Sequence, residues 1–315
     1  MTNTDFPDLG HGGQIEYLTM ADGTRIRTAC WPSNDKSKGI VVFVNGHREF
    51  MEKYTEFFPD ILARDYALYA LDNRGQGLSD RLLDDRLKSH AETFDVFSSD
   101  LNEFISRSVL SDSRAQAIPI YLIAHSMGGH ICLRYLHDYQ GVVSKAIIMA
   151  PMIEFNLGGA VIGAILKSLI RFASRLGFTE NFAFGQKNPP SKSHSSIKQK
   201  FLTHDDRRYT VEAEIIKSRP DLYVGGATFG WLSAALDSIE KIRTPGYLNK
   251  ITIPVLAVLA GKDTVVNTQT SLKLFSGQPN FKVVTIDGAR HEIYREIDQY
   301  RDQLWQEIDG FLAVE

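Results

Sequence analysis

Cysteine is nearly absent from this chain of 315 residues. Cys30 and Cys132 lie far apart, and neither stands in a CxxC pair or a Cys/His cluster, so the sequence offers no disulfide framework and no zinc site. Two buried thiols in a reducing compartment are expected. Long hydrophobic runs are missing as well: the longest uncharged apolar stretch, FNLGGAVIGAIL at 155–166, has 12 residues, where a membrane-spanning helix needs about 20. The opening MTNTDFPDLGHGGQIEY has no basic region leading into an apolar one and does not read as a signal peptide. Surplus positive charge is absent too. With 35 Lys+Arg against 38 Asp+Glu, the net charge of −3 gives no case for a nucleic-acid partner. The reading is a cytoplasmic protein without metal or organic cofactor, with at most a peripheral contact at the inner face of a membrane.

What is present is a rhythm. IEYLTM and TRIRTACW read as two antiparallel strands about the turn Ala21, Asp22, Gly23. Six apolar runs follow: IVVFV at 40–44, YALYAL at 66–71, IYLIA at 120–124, AIIMA at 146–150, VLAVLA at 255–260 and KVVTI at 282–286. They do not alternate with polar residues, as suits parallel strands buried on both faces. Helix-like segments such as DVFSSDLNEFISRSVL and RDQLWQEIDGFLAV lie among and after them. The expected fold class is α/β: a doubly wound, mostly parallel eight-stranded sheet. The rhythm stops between Met152 and Tyr247, where the pattern is helical and is interrupted by Asn188, Pro189, Pro190 and Ser191. We read 152–247 as a helical cap inserted after the sixth strand, dividing the core into 1–151 and 248–315. The cap carries 13 Lys+Arg and 9 Asp+Glu. That excess is either scattered solvated charge or a lid that favours an anionic membrane surface or a phosphate headgroup.

The most informative stretch is YLIAHSMGGHICLRYL, residues 121–136. A strand ends at Ala124 and a helix starts near Met127, leaving a sharp turn for Ser126. A turn that tight admits only small neighbours two residues away, here Ala124 and Gly128, which is the physical content of a G-x-S-x-G elbow. It exposes Ser126 at the carboxyl end of the sheet and aims a helix N-terminus at the same point. A serine hydroxyl needs a base. His125 and His130 lie close in sequence but read as pointing elsewhere; His291, after the last strand, is the candidate. The base needs an acid to hold its tautomer. Asp263 follows the penultimate strand, and its rival Asp287 reads as part of an Asp-Gly turn. Ser126, Asp263 and His291 then stand in nucleophile–acid–base order. The backbone N–H groups of Met127 and of His47, in the loop after the third strand, are the candidate oxyanion donors.

These residues carry a resemblance. The chain resembles the α/β hydrolases of the monoacylglycerol lipase and bacterial lysophospholipase branch over nearly its whole length, from about Gln14 onward. NGHREFMEKY supplies Asn45, Gly46, Glu49 and Tyr54 of that family's pattern, with Asn45 where a histidine is usual. DNRGQGLSD carries its D-x-R-G-x-G-x-S segment as Asp72, Arg74, Gly75, Gly77 and Ser79, which we read as structural. The resemblance implies a serine hydrolase cleaving carboxylic esters of lipid-like substrates, lysophospholipids or monoacylglycerols, through an acyl-enzyme on Ser126. A general carboxylesterase or serine peptidase is the alternative, and a non-catalytic binding protein on this scaffold a third. The candidate acyl-binding residues are Phe155, Ile165, Leu169, Phe184, Phe229 and Trp231, with Phe182 as a further aromatic. Lys167, Arg171 and Arg175 fall on one helix face, largely opposite Val161, Ile165, Leu169, Phe172 and Leu176. That helix either packs its apolar side on the core or presents it to an acyl chain or a lipid surface. Arg207 and Arg208 are candidates for a phosphate contact.

Overall fold

The computed structural model describes residue 9, residues 12–186 and residues 201–314; the interruption at 188–191 lies outside them. Strands β1 (Gln14–Thr19), β2 (Arg25–Trp31), β3 (Gly39–Val44), β4 (Tyr66–Leu71), β5 (Ile120–His125), β6 (Lys145–Met149), β7 (Val255–Ala260) and β8 (Phe281–Ile286) form one sheet. Their order is β1-β2-β4-β3-β5-β6-β7-β8. β1 pairs antiparallel with β2, and β2 with β4; every later pairing is parallel.

Helices α1 (Phe57–Leu62), α2 (Asp95–Phe104), α3 (Met127–Asp138), α7 (Thr268–Phe275) and α8 (Asp298–Ala313) flank this sheet, and α4 (Ala160–Arg175), α5 (Asp206–Ser218) and α6 (Phe229–Arg243) lie between β6 and β7. The pleat sends alternate residues to opposite faces. Ile40, Val42 and Val44 join a core with Phe97, Leu101, Ile131 and Phe275 of α2, α3 and α7. Val41 and Phe43 join a second core with Phe57, Ile61, Trp305 and Ile308 of α1 and α8. Because both faces are covered, the central strands need apolar residues at every position. β3, β5 and β7 are buried throughout. Cys132 is buried, but Cys30 is only partly so, since β2 lies near the sheet's edge.

α4 does not pack its apolar side on the core. Val161, Ile162, Ile165, Phe172 and Leu176 face outward, with Val161 74% and Phe172 60% exposed. Lys167 and Arg171 of its cationic side are partly covered, while Arg175 is exposed. Lys167 reaches Glu154 at 3.1 Å, and Arg171 reaches Asp237 and Glu240 of α6 at 3.3 and 2.6 Å. Leu166 and Ile170, between the two sides, line an apolar chamber beneath the helix. Among the described residues no helix is long and apolar enough to cross a membrane.

Candidate active site

Ser126 joins β5 to α3 with φ 51° and ψ −114°, a conformation that side-chain-bearing residues rarely adopt. Three backbone bonds hold it there: its N–H donates to Met149 O at 2.9 Å, and its carbonyl accepts from Met152 and His130 N–H at 3.0 and 3.2 Å. The turn brings α3 against the end of β3. A Cβ on Gly128 would fall 2.1 Å from Val44 O, and one on Gly129 3.0 Å from Pro151 Cβ. The small residues around Ser126 are therefore required by contact.

The structure brings Ser126, His291 and Asp263 together. Ser126 Oγ and His291 Nε2 are 3.0 Å apart, and His291 Nδ1 is 2.7 Å from Asp263 Oδ2. The other carboxylate oxygen of Asp263 accepts from the N–H groups of Val265 and Val266 at 2.8 and 3.0 Å, which fixes its orientation. Burial alone lowers the basicity of the His291 imidazole. The charge and hydrogen bond of Asp263 outweigh it, aided by Glu292 and Glu49, and the pKa is raised. Burial raises the Asp263 pKa, and the His291 contact with the two backbone donors brings it below the usual carboxylate value. With Nδ1–H donated to Asp263, Nε2 is free to accept the serine proton.

The loop after β3 is clamped. Gly46 N–H donates to Glu49, Gly46 O accepts from Gln76 Nε2 at 2.9 Å, and Arg48, at φ 63°, donates its N–H to Gln76 Oε1 at 2.6 Å. His47 sits between these fixed points. Its ring stacks on Trp231 at 4.0 Å and contacts Ser89 Oγ at 2.7 Å. Burial, then the neighbouring Arg48 charge, lower its pKa to about 3, so the ring is neutral. Met127 is the first residue of α3, whose N–H has no acceptor one turn earlier in its own helix.

Ser126 opens to two chambers that differ in chemistry. One, of about 330 Å³, is lined by Phe155, Leu169, Phe184, Phe229 and Trp231 together with His47, Met152, Val265 and Val266. Five of the six candidate acyl-binding residues therefore meet there. Ile165 does not: it lies on the outer face of α4 and is exposed. Phe182 is also absent from this lining; its backbone pairs with Thr228. The other chamber, of about 220 Å³, is lined by Arg48, Glu49, Lys53, Tyr209, Glu212, Tyr223 and Glu292, with His47, Ser126 and His291 shared or adjoining. Nothing in the sequence patterns announced it, because its residues come from five separate segments.

His125 does not point away from the site. Its Nε2 lies 3.1 Å from the backbone carbonyl of His291 and its Nδ1 3.1 Å from Glu49. Glu49 also accepts from Tyr54, Tyr294 and Lys53. Burial raises the Glu49 pKa, but His125 and Lys53 more than reverse this and hold it well below the usual value. Arg207 and Arg208 are engaged elsewhere, both with Glu56, and Arg208 also with Asp205 and Asp298. The D-x-R-G-x-G-x-S segment forms a turn. Asp72 accepts from Arg27, Met51 N–H and Leu78 N–H, and a Cβ on Gly77 would collide with it at 2.0 Å. Arg74 joins Asp100 of α2 to Asp22 of the β1–β2 turn. Among the described residues no His, Cys, Asp and Glu side chains cluster so as to hold a metal ion.

Comparisons with known proteins agree with this architecture. A protein of Haemophilus influenzae named "Probable lysophospholipase L2" is 29% identical over 276 residues, covering 88% of this chain and 84% of its own. Human monoglyceride lipase is 21% identical over 301 residues, covering 95% and 90%. Among solved structures, a soluble variant of Saccharomyces cerevisiae monoglyceride lipase with a substrate analogue superposes with a TM-score of 0.78 at 18% identity, covering 98% of this chain and 97% of its own. A sequence model of the family described as serine aminopeptidase, S33, matches residues 35–298, and the chain belongs to that family.

Proposed function

We propose that the protein is a serine hydrolase that cleaves the carboxylic ester of a lipid-like substrate, a lysophospholipid or a monoacylglycerol. The observation that carries this reading is the Ser126–His291–Asp263 line opening onto an apolar chamber. His291 Nε2 takes the proton of Ser126 as Oγ attacks the ester carbonyl. The N–H groups of Met127 and His47 receive the oxyanion, with the N-terminus of α3 adding its dipole. His291 then protonates the leaving alcohol, and water, activated by the same imidazole, clears the acyl-enzyme. The names of the similar proteins, lysophospholipase and monoglyceride lipase, support the substrate class. An acyl chain fits the apolar chamber, whereas a peptidase reading leaves that chamber without an extended polar partner.

In this reading 152–247 acts as a lid, and α4 rests on lipid. Leu169 and Phe184 line the acyl chamber and are 45% and 76% exposed, so they stand at its mouth beside the outward apolar face of α4. A chain leaving a lipid surface would enter there without crossing water.

Ser126→Ala tests the chemistry. Hydrolysis of p-nitrophenyl butyrate and labelling by a fluorophosphonate are expected to vanish, with the circular dichroism spectrum kept; unchanged turnover would remove the assignment. A substrate panel of lysophosphatidylcholine, monoacylglycerol and aminoacyl-naphthylamide separates lipid esterase from peptidase.

A further inference from the structure

Arg48 is an unusual cation in this molecule. The buried arginines Arg27, Arg74, Arg134, Arg208 and Arg295 each hold a carboxylate. Arg48 is half-buried and, among the described residues, has no carboxylate within ion-pair distance. Its Nε donates to Val224 O at 3.2 Å and its Nη2 to Tyr223 Oη at 2.8 Å, and the guanidinium lies over the Tyr223 ring at 5.5 Å. These contacts fix the plane of the fork and leave Nη1 without an acceptor from the described protein. The side chain lines the polar chamber that also holds Ser126 and His291. The same chamber has an acidic wall. Lys53 lies 2.6 Å from Glu292, 3.2 Å from Glu49 and 3.4 Å from Glu212, and Arg295 lies 2.7 Å from Glu212 and 2.5 Å from Glu292. Those carboxylates and cations are engaged with one another, whereas Arg48 carries a positive charge that no carboxylate among the described residues pairs. An uncharged glycerol would not use it.

We propose that Arg48 is a specificity-determining residue that binds the phosphate of a lysophospholipid headgroup in the polar chamber. A guanidinium held in a fixed plane suits a phosphate better than a point charge does. The inference rests on the ester-hydrolase reading above and extends it to the leaving group.

The test compares kcat/KM for palmitoyl lysophosphatidylcholine, palmitoyl lysophosphatidylglycerol and monopalmitoylglycerol in the same micelles. The intact protein is expected to prefer lysophosphatidylcholine to monopalmitoylglycerol by about tenfold or more, and lysophosphatidylglycerol to monopalmitoylglycerol likewise. Arg48→Gln is expected to shrink the first preference about tenfold, chiefly through KM, and Arg48→Lys to restore part of it. Equal preference in the intact protein, or a parallel loss on all three esters in Arg48→Gln, overturns the role of Arg48. A preference confined to lysophosphatidylcholine overturns recognition through the phosphate. A measurement without any variant guards against misfolding: glycerophosphocholine should inhibit p-nitrophenyl butyrate hydrolysis competitively where glycerol at equal concentration does not. Absence of that inhibition, with butyrate turnover intact, sinks the inference while sparing the esterase reading. Absence of any ester turnover sinks both.

Discussion

Ser126 is held in a strained conformation by a neighbour that cannot grow. Gly128→Ala places a methyl group 2.1 Å from Val44 O, so either α3 or the end of β3 must shift. Overpacking of this kind costs about 1–3 kcal/mol, and a displacement near 1 Å at a nucleophile costs on the order of 100-fold in rate. Calorimetry should show a Tm lower by several degrees, and esterase assays a fall in kcat larger than any change in KM. The His291–Asp263 pair makes a second prediction. The imidazole must be neutral to accept a proton, and Asp263 raises its pKa above the ordinary value of about 6.5. The kcat/KM profile should therefore fall as pH drops through a value above 6.5. In Asp263→Asn burial acts with only the smaller influence of Glu292 and Glu49 against it, so the inflection should move to lower pH while the rate falls about 10⁴-fold from loss of the correct tautomer. Ser126, Asp263 and His291 were legible because each follows the carboxyl end of a parallel strand and so belongs to one rim. His125 and Arg48 were not: sequence adjacency places their backbones but says nothing about which way a ring or a guanidinium turns.

At the scale of elements, the sheet was legible and α4 only half so. Burial on both faces writes an unbroken apolar run into each central strand, which is why β3, β5 and β7 stand out in the chain. Periodicity divides α4 correctly into an apolar and a cationic side, but it is blind to direction. The partners of Lys167 and Arg171 are Glu154, Asp237 and Glu240, two of which lie more than sixty residues further on. The outward side of α4 leads to a prediction tied to lipid contact. Replacing Ile162 and Phe172, which do not line the apolar chamber, with Asp should weaken co-flotation with phosphatidylglycerol vesicles by about a hundredfold or more, since each apolar side chain contributes about 1.5–3 kcal/mol when buried. Hydrolysis of water-soluble p-nitrophenyl butyrate should persist in the same variant. Equal flotation of variant and parent would leave α4 without a lipid role.

The whole molecule is fastened across the same chamber that the headgroup is inferred to enter. α5 enters the core through Glu212, which meets Lys53 from the loop after β3 and Arg295 from the segment after β8. Arg208, one turn earlier on α5, reaches Glu56 and Asp298, and His204 reaches Glu296. No pattern in the sequence foretells this: each member reads as an ordinary surface charge, and only the fold removes water from the group. The balance of the cluster predicts which change it tolerates. Glu212→Gln keeps an amide that can hydrogen-bond while Glu49 and Glu292 still pair with Lys53 and Arg295, so the cost should stay near 1 kcal/mol. Lys53→Met removes the cation that Glu49, Glu212 and Glu292 share, and a buried charge left unpaired costs about 3–5 kcal/mol. Urea midpoints at pH 7 should therefore rank the parent first, Glu212→Gln close behind and Lys53→Met far below. Equal destabilisation by the two substitutions would mean that charge pairing does not govern the attachment of α5 to the core.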